Sequence, residues 1–347
     1  MAAGEDPPIA TSHEPSEKDR HLVVVADRLH GILLTDLLHR RWPDVARSAL
    51  RNLVHQGRVK VNADGTLMPR HRLRGGDVVE ISLPGSIDGL KMFRKGRSTA
   101  DAEIPILHED DSTIVALKPS GLSAGADRSG QIPGLIDRLA AERSGSELRL
   151  VNRPDQDASG CVLLAKDLPS AKRLEQCLAA GEIELDCLAL VHGAVRWKER
   201  QVDQHLGPDP QRPGRICTVK PGSKGAREAS TQLALDEAFR QHSLVSARPM
   251  TSRNHQIRVH LGFLGHPIVA DPEYGLRDRL LLSEIKKNYK ARAGVVERPL
   301  LSRMFLHISR VSFPDSTGVR REVTAPLAKD LEVVVAKLRS FARKDSH

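Results

Sequence analysis

Residues 150–167 read LVNRPDQDASGCVLLAKD. Two apolar runs, LRLV at 148–151 and CVLLA at 161–165, flank a polar loop that carries Arg153, Asp155 and Asp157 around Pro154. A carboxylate two places from a guanidinium, in a loop between buried segments, raises the question of catalysis. An Asp in such a loop most often serves a turn, accepting hydrogen bonds from nearby backbone, and local sequence alone gives catalysis little support. Local sequence does not separate Asp155 from Asp157 in either role. A second constellation lies at 251–275, TSRNHQIRVHLGFLGHPIVADPEYG. Arg253 and Arg258 stand out there. A guanidinium fixed on a helix can grip a carboxylate or a phosphate, or simply close a structural salt bridge. His255, His260 and His266 raise the question of a metal. Five residues separate the first two, which puts them about 140° apart on a helix and on opposite faces of a strand. Paired ligands on one helix want a spacing of three or four, so no metal is expected. The chain has no Gly-rich phosphate loop, no G-x-S-x-G and no dinucleotide fingerprint, and no cofactor is implied.

Those residues need elements to hold them. The runs at 148–151 and 161–165 predict short strands, as do IPIL and TIVAL around an acidic turn near 110, before Lys118-Pro119. LPSAKRLEQCLAAGEI predicts a helix with Pro169 in its first turn, Ala171, Leu174 and Leu178 on one face, and Gly181 as the stop. IELDCLALVHGAV predicts a buried strand, and residues 200–230 a loop-rich middle. Ile257, Leu261 and Leu264 form a helical stripe, with Asn254 placed to cap it. Nearer the start, DLLHRRW and VARSALRNLVHQG have helical spacing, and RVKVN and GDVVEISL alternate as strands about an ADG turn.

Composition narrows the class. The 347 residues are enough for two domains and a sizeable core. The formal net charge of +9 favours a polyanionic partner. Arg40, Arg41, Arg47, Arg51, Arg58 and Lys60 cluster around the second helix with few acids between them, a pattern suited to RNA or DNA phosphates. Four cysteines without a C-x-x-C pair read as reduced thiols. The first 20 residues lack the basic-then-apolar order of a signal peptide. No apolar run approaches the ~18 residues of a membrane span. A cytoplasmic protein that does not engage membranes is expected. Residues 1–19 read as a disordered tail, 20–85 as a small basic unit, 86–102 as a linker, and 103–343 as the second domain.

The helix–R-S–helix order at 36–60, the L-V-x-x-G-x-V-x-V-N run and the closing G-D-V-V resemble the small RNA-binding module named after ribosomal protein S-four. Residues 103–330 resemble the catalytic domain of the RluA-type pseudouridine synthases, the branch that modifies large-subunit ribosomal RNA or transfer RNA. The signature runs in order through LHEDDSTIVALKPSGL, NRPDQDASGCVLLAK, LALVHG, TSRNHQIRVHLGFLGHPIVADPEYG and RPLLSRMFLHISRVSF. The fold that this implies is α+β, a small helical and β RNA-binding module followed by a mixed, largely antiparallel-sheet catalytic domain with flanking helices. The activity implied is isomerisation of specific uridines in structured RNA, without metal or cofactor, by a monomer. Reaching the base requires turning it out of the stack.

The resemblance also distributes roles. Asp155 falls on the catalytic carboxylate and Arg258 on the arginine that pairs with it. Arg153, Cys187, Arg253 and His255 fall at the substrate, and Arg47, Arg51, Arg58 and Lys60 at the RNA backbone. Arg153 corresponds to the residue that holds the uridine out of the stack. Cys187 occupies the place of a tyrosine that packs on the base and handles its carbon proton. Asn152, Pro154 and Ala158 replace the usual His, Leu and Thr. An active enzyme is the first expectation. The alternative is a catalytically weak relative that binds RNA and assists ribosome assembly.

Overall fold

The computed structural model describes residues 20–42, 45, 50, 53–54, 57–64, 71–82, 103–125, 133–143, 147–212, 215–290 and 297–342. The chain divides into two compact units, Met1–Ser98 and Thr99–His347. The segments 1–19 and 86–102 lie outside the described residues.

In the first unit, strands β1 (Arg20–Val24), β2 (Val59–Val61) and β3 (Val78–Ser82) form an antiparallel sheet in the order β1-β3-β2. Helix α1 (Leu34–Arg41) buries Leu34, Leu37 and Leu38, the i, i+3, i+4 face that its sequence prescribes. That face packs with Trp42, Leu50, Leu53, Val59, Val79 and Ile81 in one core. Asn62, with φ +50°, turns the chain after β2, and its side chain bonds Asp77 and the Val78 N–H.

The second unit is built on one large mixed sheet. Its strands are β4 (Ile106–Glu109), β5 (Thr113–Lys118), β6 (Arg149–Leu150), β7 (Ser159–Ala165), β8 (Glu184–His192), β9 (Glu199–Pro208), β10 (Ile216–Val219), β11 (Arg227–Ala238), β12 (His242–Pro249), β13 (Leu306–Pro314) and β14 (Arg320–Thr324). The order is β10-β9-β11-β12-β8-β13-β7-β5-β4, with β14 on β13 and β6 on β7. Among the described strands only β13 and β7 run parallel. β7 is buried along its whole length, as its unbroken apolar run requires. Helices α2 (Leu135–Glu142), α3 (Leu168–Ala179), α4 (Gln256–Phe263), α5 (Leu282–Ile285) and α6 (Lys329–Phe341) complete the unit. No described helix is long and apolar enough to cross a membrane.

Two sequence expectations are corrected. Residues 200–230 are not loop-rich, because β9, β10 and the start of β11 occupy most of them. They lie toward one edge of the sheet, where exposed and half-buried positions predominate, so no clean apolar alternation marks them. Asn254 does not cap α4. His255 is the N-cap, in the left-handed conformation, with no side-chain cap. By contrast α3 begins at Pro169's predecessor, with Asp167 accepting from the Ser170 N–H at 2.7 Å.

Candidate active site

Asp155 sits in the loop that feeds β7, and the strand's second residue explains why that loop lies where it does. Gly160 has φ +113°, and a Cβ there would stand 2.1 Å from the Ile308 carbonyl oxygen. Only glycine lets β7 approach β13 this closely. Asn152, buried ahead of the loop, accepts from the Leu163 N–H at 2.7 Å and donates to the Cys161 carbonyl at 3.4 Å. It thereby satisfies strand backbone from the side.

Lys118 at the end of β5 secures the other side of the loop. It is fully buried, and its Nζ lies 3.0 Å from the Pro119 oxygen, 2.8 Å from Leu122, 3.0 Å from Gln156 and 2.5 Å from Ala158. Burial pulls its pKa down to about 7, although Asp157 and Asp155 favour the charged form. Four carbonyl oxygens suit an ammonium, whose donors all find a partner. Sequence reading passed over Lys118; the Lys-Pro pair before a Gly-containing loop was the available signal.

Arg258 in the first turn of α4 reaches Asp155. Its Nη1 donates to Asp155 Oδ2 at 3.2 Å. The rest of the guanidinium is already committed. Nε and Nη2 bond the two oxygens of Asp271 at 2.8 Å each, and Nη2 also reaches Glu273 Oε2 at 3.3 Å. The fork geometry makes this bidentate grip possible. Burial opposes the charge on Arg258, but Asp271, Asp155 and Glu273 outweigh it and raise its pKa. Burial would raise the Asp271 carboxyl, yet the Arg258 guanidinium holds it below the usual range. Asp271 also accepts from the Glu273 and Tyr274 N–H groups at 2.8 and 3.0 Å. Gly275 closes that turn where a Cβ would meet the Asp271 carbonyl oxygen at 2.5 Å.

The base of α4 is tied to the sheet by a buried polar network. Gln256 Nε2 donates to the Ser230 carbonyl and to Thr231 Oγ1, both at 2.9 Å, and Gln256 Oε1 accepts from Thr251 at 2.8 Å. His260 Nδ1 lies 2.8 Å from the same Thr231 hydroxyl. His255 lies 2.8 Å from the Tyr274 hydroxyl through Nδ1, with Nε2 3.9 Å from Asp155 Oδ1. His266 bonds the His192 carbonyl. The three histidines therefore serve three different neighbourhoods, and among the described residues no cluster is placed to hold a metal ion.

Of the candidates named from sequence, Asp155, Arg258 and His255 converge. Arg153 is exposed on the same loop. Arg253 is half-buried and donates to the Glu228 carbonyl at 2.9 Å. Cys187 is 4% exposed, lies opposite Ala247 and Ile308 in the sheet, and packs in the main core. Burial pushes its thiol well above the usual range, with Asp186, Cys161 and Asp155 adding to the effect. In the first unit Arg58 is half-buried and Lys60 exposed, while Arg47 and Arg51 lie outside the described residues. The sequence assigned no role to Asp271, Glu273 and Tyr274, although they stand in the DPEYG run that closes the second constellation.

The family model for RNA pseudouridylate synthase matches residues 112–262, which span the carboxylate loop and most of α4. Ribosomal large subunit pseudouridine synthase C of Haemophilus ducreyi is 31% identical over 335 residues, covering 95% of this chain and 99% of the relative. The protein of the same name from Escherichia coli is 31% identical over 329 residues, covering 92% and 96%. Among solved structures, the human protein called RNA pseudouridylate synthase domain containing 4 superposes with a TM-score of 0.52 at 23% identity, covering 67% of this chain and 92% of that one. That last likeness speaks for the fold.

Proposed function

The chain belongs to the pseudouridine synthase family, and from that premise we propose that it isomerises uridine in large-subunit ribosomal RNA, with Asp155 as the attacking carboxylate. One observation carries the assignment to Asp155. Arg258, held from behind by the buried Asp271, turns its Nη1 to Asp155 at 3.2 Å. A carboxylate aimed in this way adds to the ribose carbon as the bond to the base nitrogen breaks. The detached uracil turns and rejoins through C5, and the carboxylate leaves. Nothing enters or leaves overall except protons exchanged within the base. The ribosomal substrate rests on the relatives, which are named for that RNA. The continuous chain of ion pairs from Asp271 to Asp155 favours an enzyme over a purely RNA-binding relative, because a binding protein has no use for a half-buried carboxylate braced in this way.

The finer assignments follow the same reading. Arg153, exposed beside Asp155, fills the space of the extruded base. Arg253 and His255 contact the nucleotide. Residues 20–85 act as an S-four-like module whose Arg47, Arg51, Arg58 and Lys60 hold phosphates, and the protein works in the cytoplasm beside its ribosomal substrate. The test is pseudouridine mapping in large-subunit ribosomal RNA from cells with and without the gene, together with purified protein on transcripts of that RNA. At least one site should depend on the gene; none in either assay would overturn the reading.

Two predictions belong here. Changing Arg47, Arg51, Arg58 and Lys60 together to Gln should weaken RNA binding and flatten its salt dependence, by roughly 0.7–0.9 in log–log slope for each phosphate that is no longer neutralised. An unchanged slope in a filter-binding titration would remove the module from the interface. Cys187→Ala should leave the isomerisation rate within about 3-fold, because a buried thiol with a raised pKa is a poor proton acceptor at neutral pH. A rate loss of ~100-fold with an intact fold by circular dichroism would give the thiol a chemical part.

A further inference from the structure

Isomerisation needs a base. When C5 joins the ribose carbon, it carries both the new bond and its original hydrogen, and the ring holds a double bond between N1 and C6. The hydrogen must leave as a proton. Its electron pair then forms the C5–C6 double bond, the N1–C6 pair moves to N1, and N1 takes up a proton. Something near Asp155 must accept the first of these protons.

We propose that His255 is that base and that Tyr274 is the positioning residue that sets its tautomer, an inference that rests on the reading of Asp155 given above. The neighbours leave few other choices. Arg258 is permanently protonated. Burial pushes the Tyr274 phenol up to about 12. The Cys187 thiol is buried in the core. His255 Nε2, by contrast, stands 3.9 Å from Asp155 Oδ1. The rearranged base is anchored on the ribose carbon that this oxygen has just released, so its C5 lies within the same few ångströms, close to the ~3–3.5 Å of a reactive pair.

The other ring nitrogen defines the tautomer. Nδ1 lies 2.8 Å from the Tyr274 hydroxyl and 3.6 Å from Glu273 Oε2. The phenol oxygen also accepts the Ile216 N–H at 3.0 Å, and the guanidinium carbons of Arg215 and Arg258 stand 4.5 and 4.7 Å from its ring centroid. A carboxylate and a phenol oxygen both facing Nδ1 favour the proton there, which leaves the lone pair on Nε2. Burial lowers the His255 pKa and Arg258 reinforces that shift, with Asp155, Glu273 and Asp271 opposing it, which favours the neutral, proton-accepting imidazole. After it takes the C5 proton, the imidazolium lies between Asp155 and Glu273 and can return a proton to N1. The backbone of His255, at φ +56°, is the strained conformation that directs the ring into this place.

The test uses the full-length protein in single-turnover reactions on a ribosomal transcript carrying either uridine or 5-fluorouridine at the target. Fluorine removes the proton that must be lost, so rearrangement of that nucleotide needs no base and stops at the joined ring, or at the ring with one water added. His255→Gln should slow uridine isomerisation by at least ~100-fold, whereas 5-fluorouridine, for which only the nucleotide contact is lost, should slow by no more than about 10-fold. Tyr274→Phe should show the same selectivity at roughly 10-fold. The unaltered enzyme should lose uridine activity as pH falls below the ordinary histidine range, and His255→Gln should not show that acid limb. Equal losses on both substrates would make His255 a binding residue only, and no loss would remove it from the chemistry; either overturns the proposal. An unaltered enzyme that rearranges neither nucleotide would instead overturn the reading of the protein as the enzyme for that RNA.

Discussion

Asp155→Asn protein is expected to form no measurable pseudouridine, a loss of at least ~10³-fold, while it holds the RNA nearly as tightly as the unaltered chain. The amide has the size of the carboxylate and can still accept from Arg258 Nη1, which now stands 3.2 Å from Asp155 Oδ2. It cannot form the bond to ribose that detaching the base requires. Affinity is expected to come from phosphate contacts, which a carboxylate does not supply. Pseudouridine in a defined transcript and a filter-binding titration on the same preparation measure both halves. Activity that survives in Asp155→Asn would move the chemistry to another group, and Asp157 would be the first to examine.

Arg258→Met should damage stability and activity together. The substitution strips the buried Asp271 of its two 2.8 Å partners and leaves a charge with backbone N–H groups alone. Breaking a buried pair from one side costs about 3–5 kcal/mol, and the urea midpoint should fall accordingly. Adding Asp271→Asn removes the stranded charge while keeping an oxygen for the Glu273 and Tyr274 N–H groups. The double variant should therefore regain most of the lost stability and still fail to isomerise uridine, because nothing aims Asp155. If the single variant unfolds at the unaltered midpoint, Arg258 is not the buried brace described above. If the double variant recovers activity, the guanidinium is needed for folding alone.

Much of this was legible in the residues. The apolar runs on both sides of the Arg-Asp loop specify strands because they have no polar face to turn to water, and β7 is indeed buried throughout. The face of α1 and the stop of α3 follow from spacing, with Gly181 at φ +76° after the last turn. The resemblance carried by the order of motifs pointed to Asp155, Arg258 and the α+β class. Local order could not choose between Asp155 and Asp157, since the selecting contact joins residues 103 positions apart. It could not show that Asp271 braces the arginine, that Lys118 gathers carbonyls from 38 and 40 residues away, or that Cys187 is core. The strands within 200–230 were hidden because exposed and half-buried positions predominate toward the sheet's edge, where polar residues satisfy water as well as a loop does. Periodicity reports which side of a segment avoids water. Which charges end within 3 Å of one another is decided by how β5, β7 and the start of α4 pack, and that only the folded chain determines.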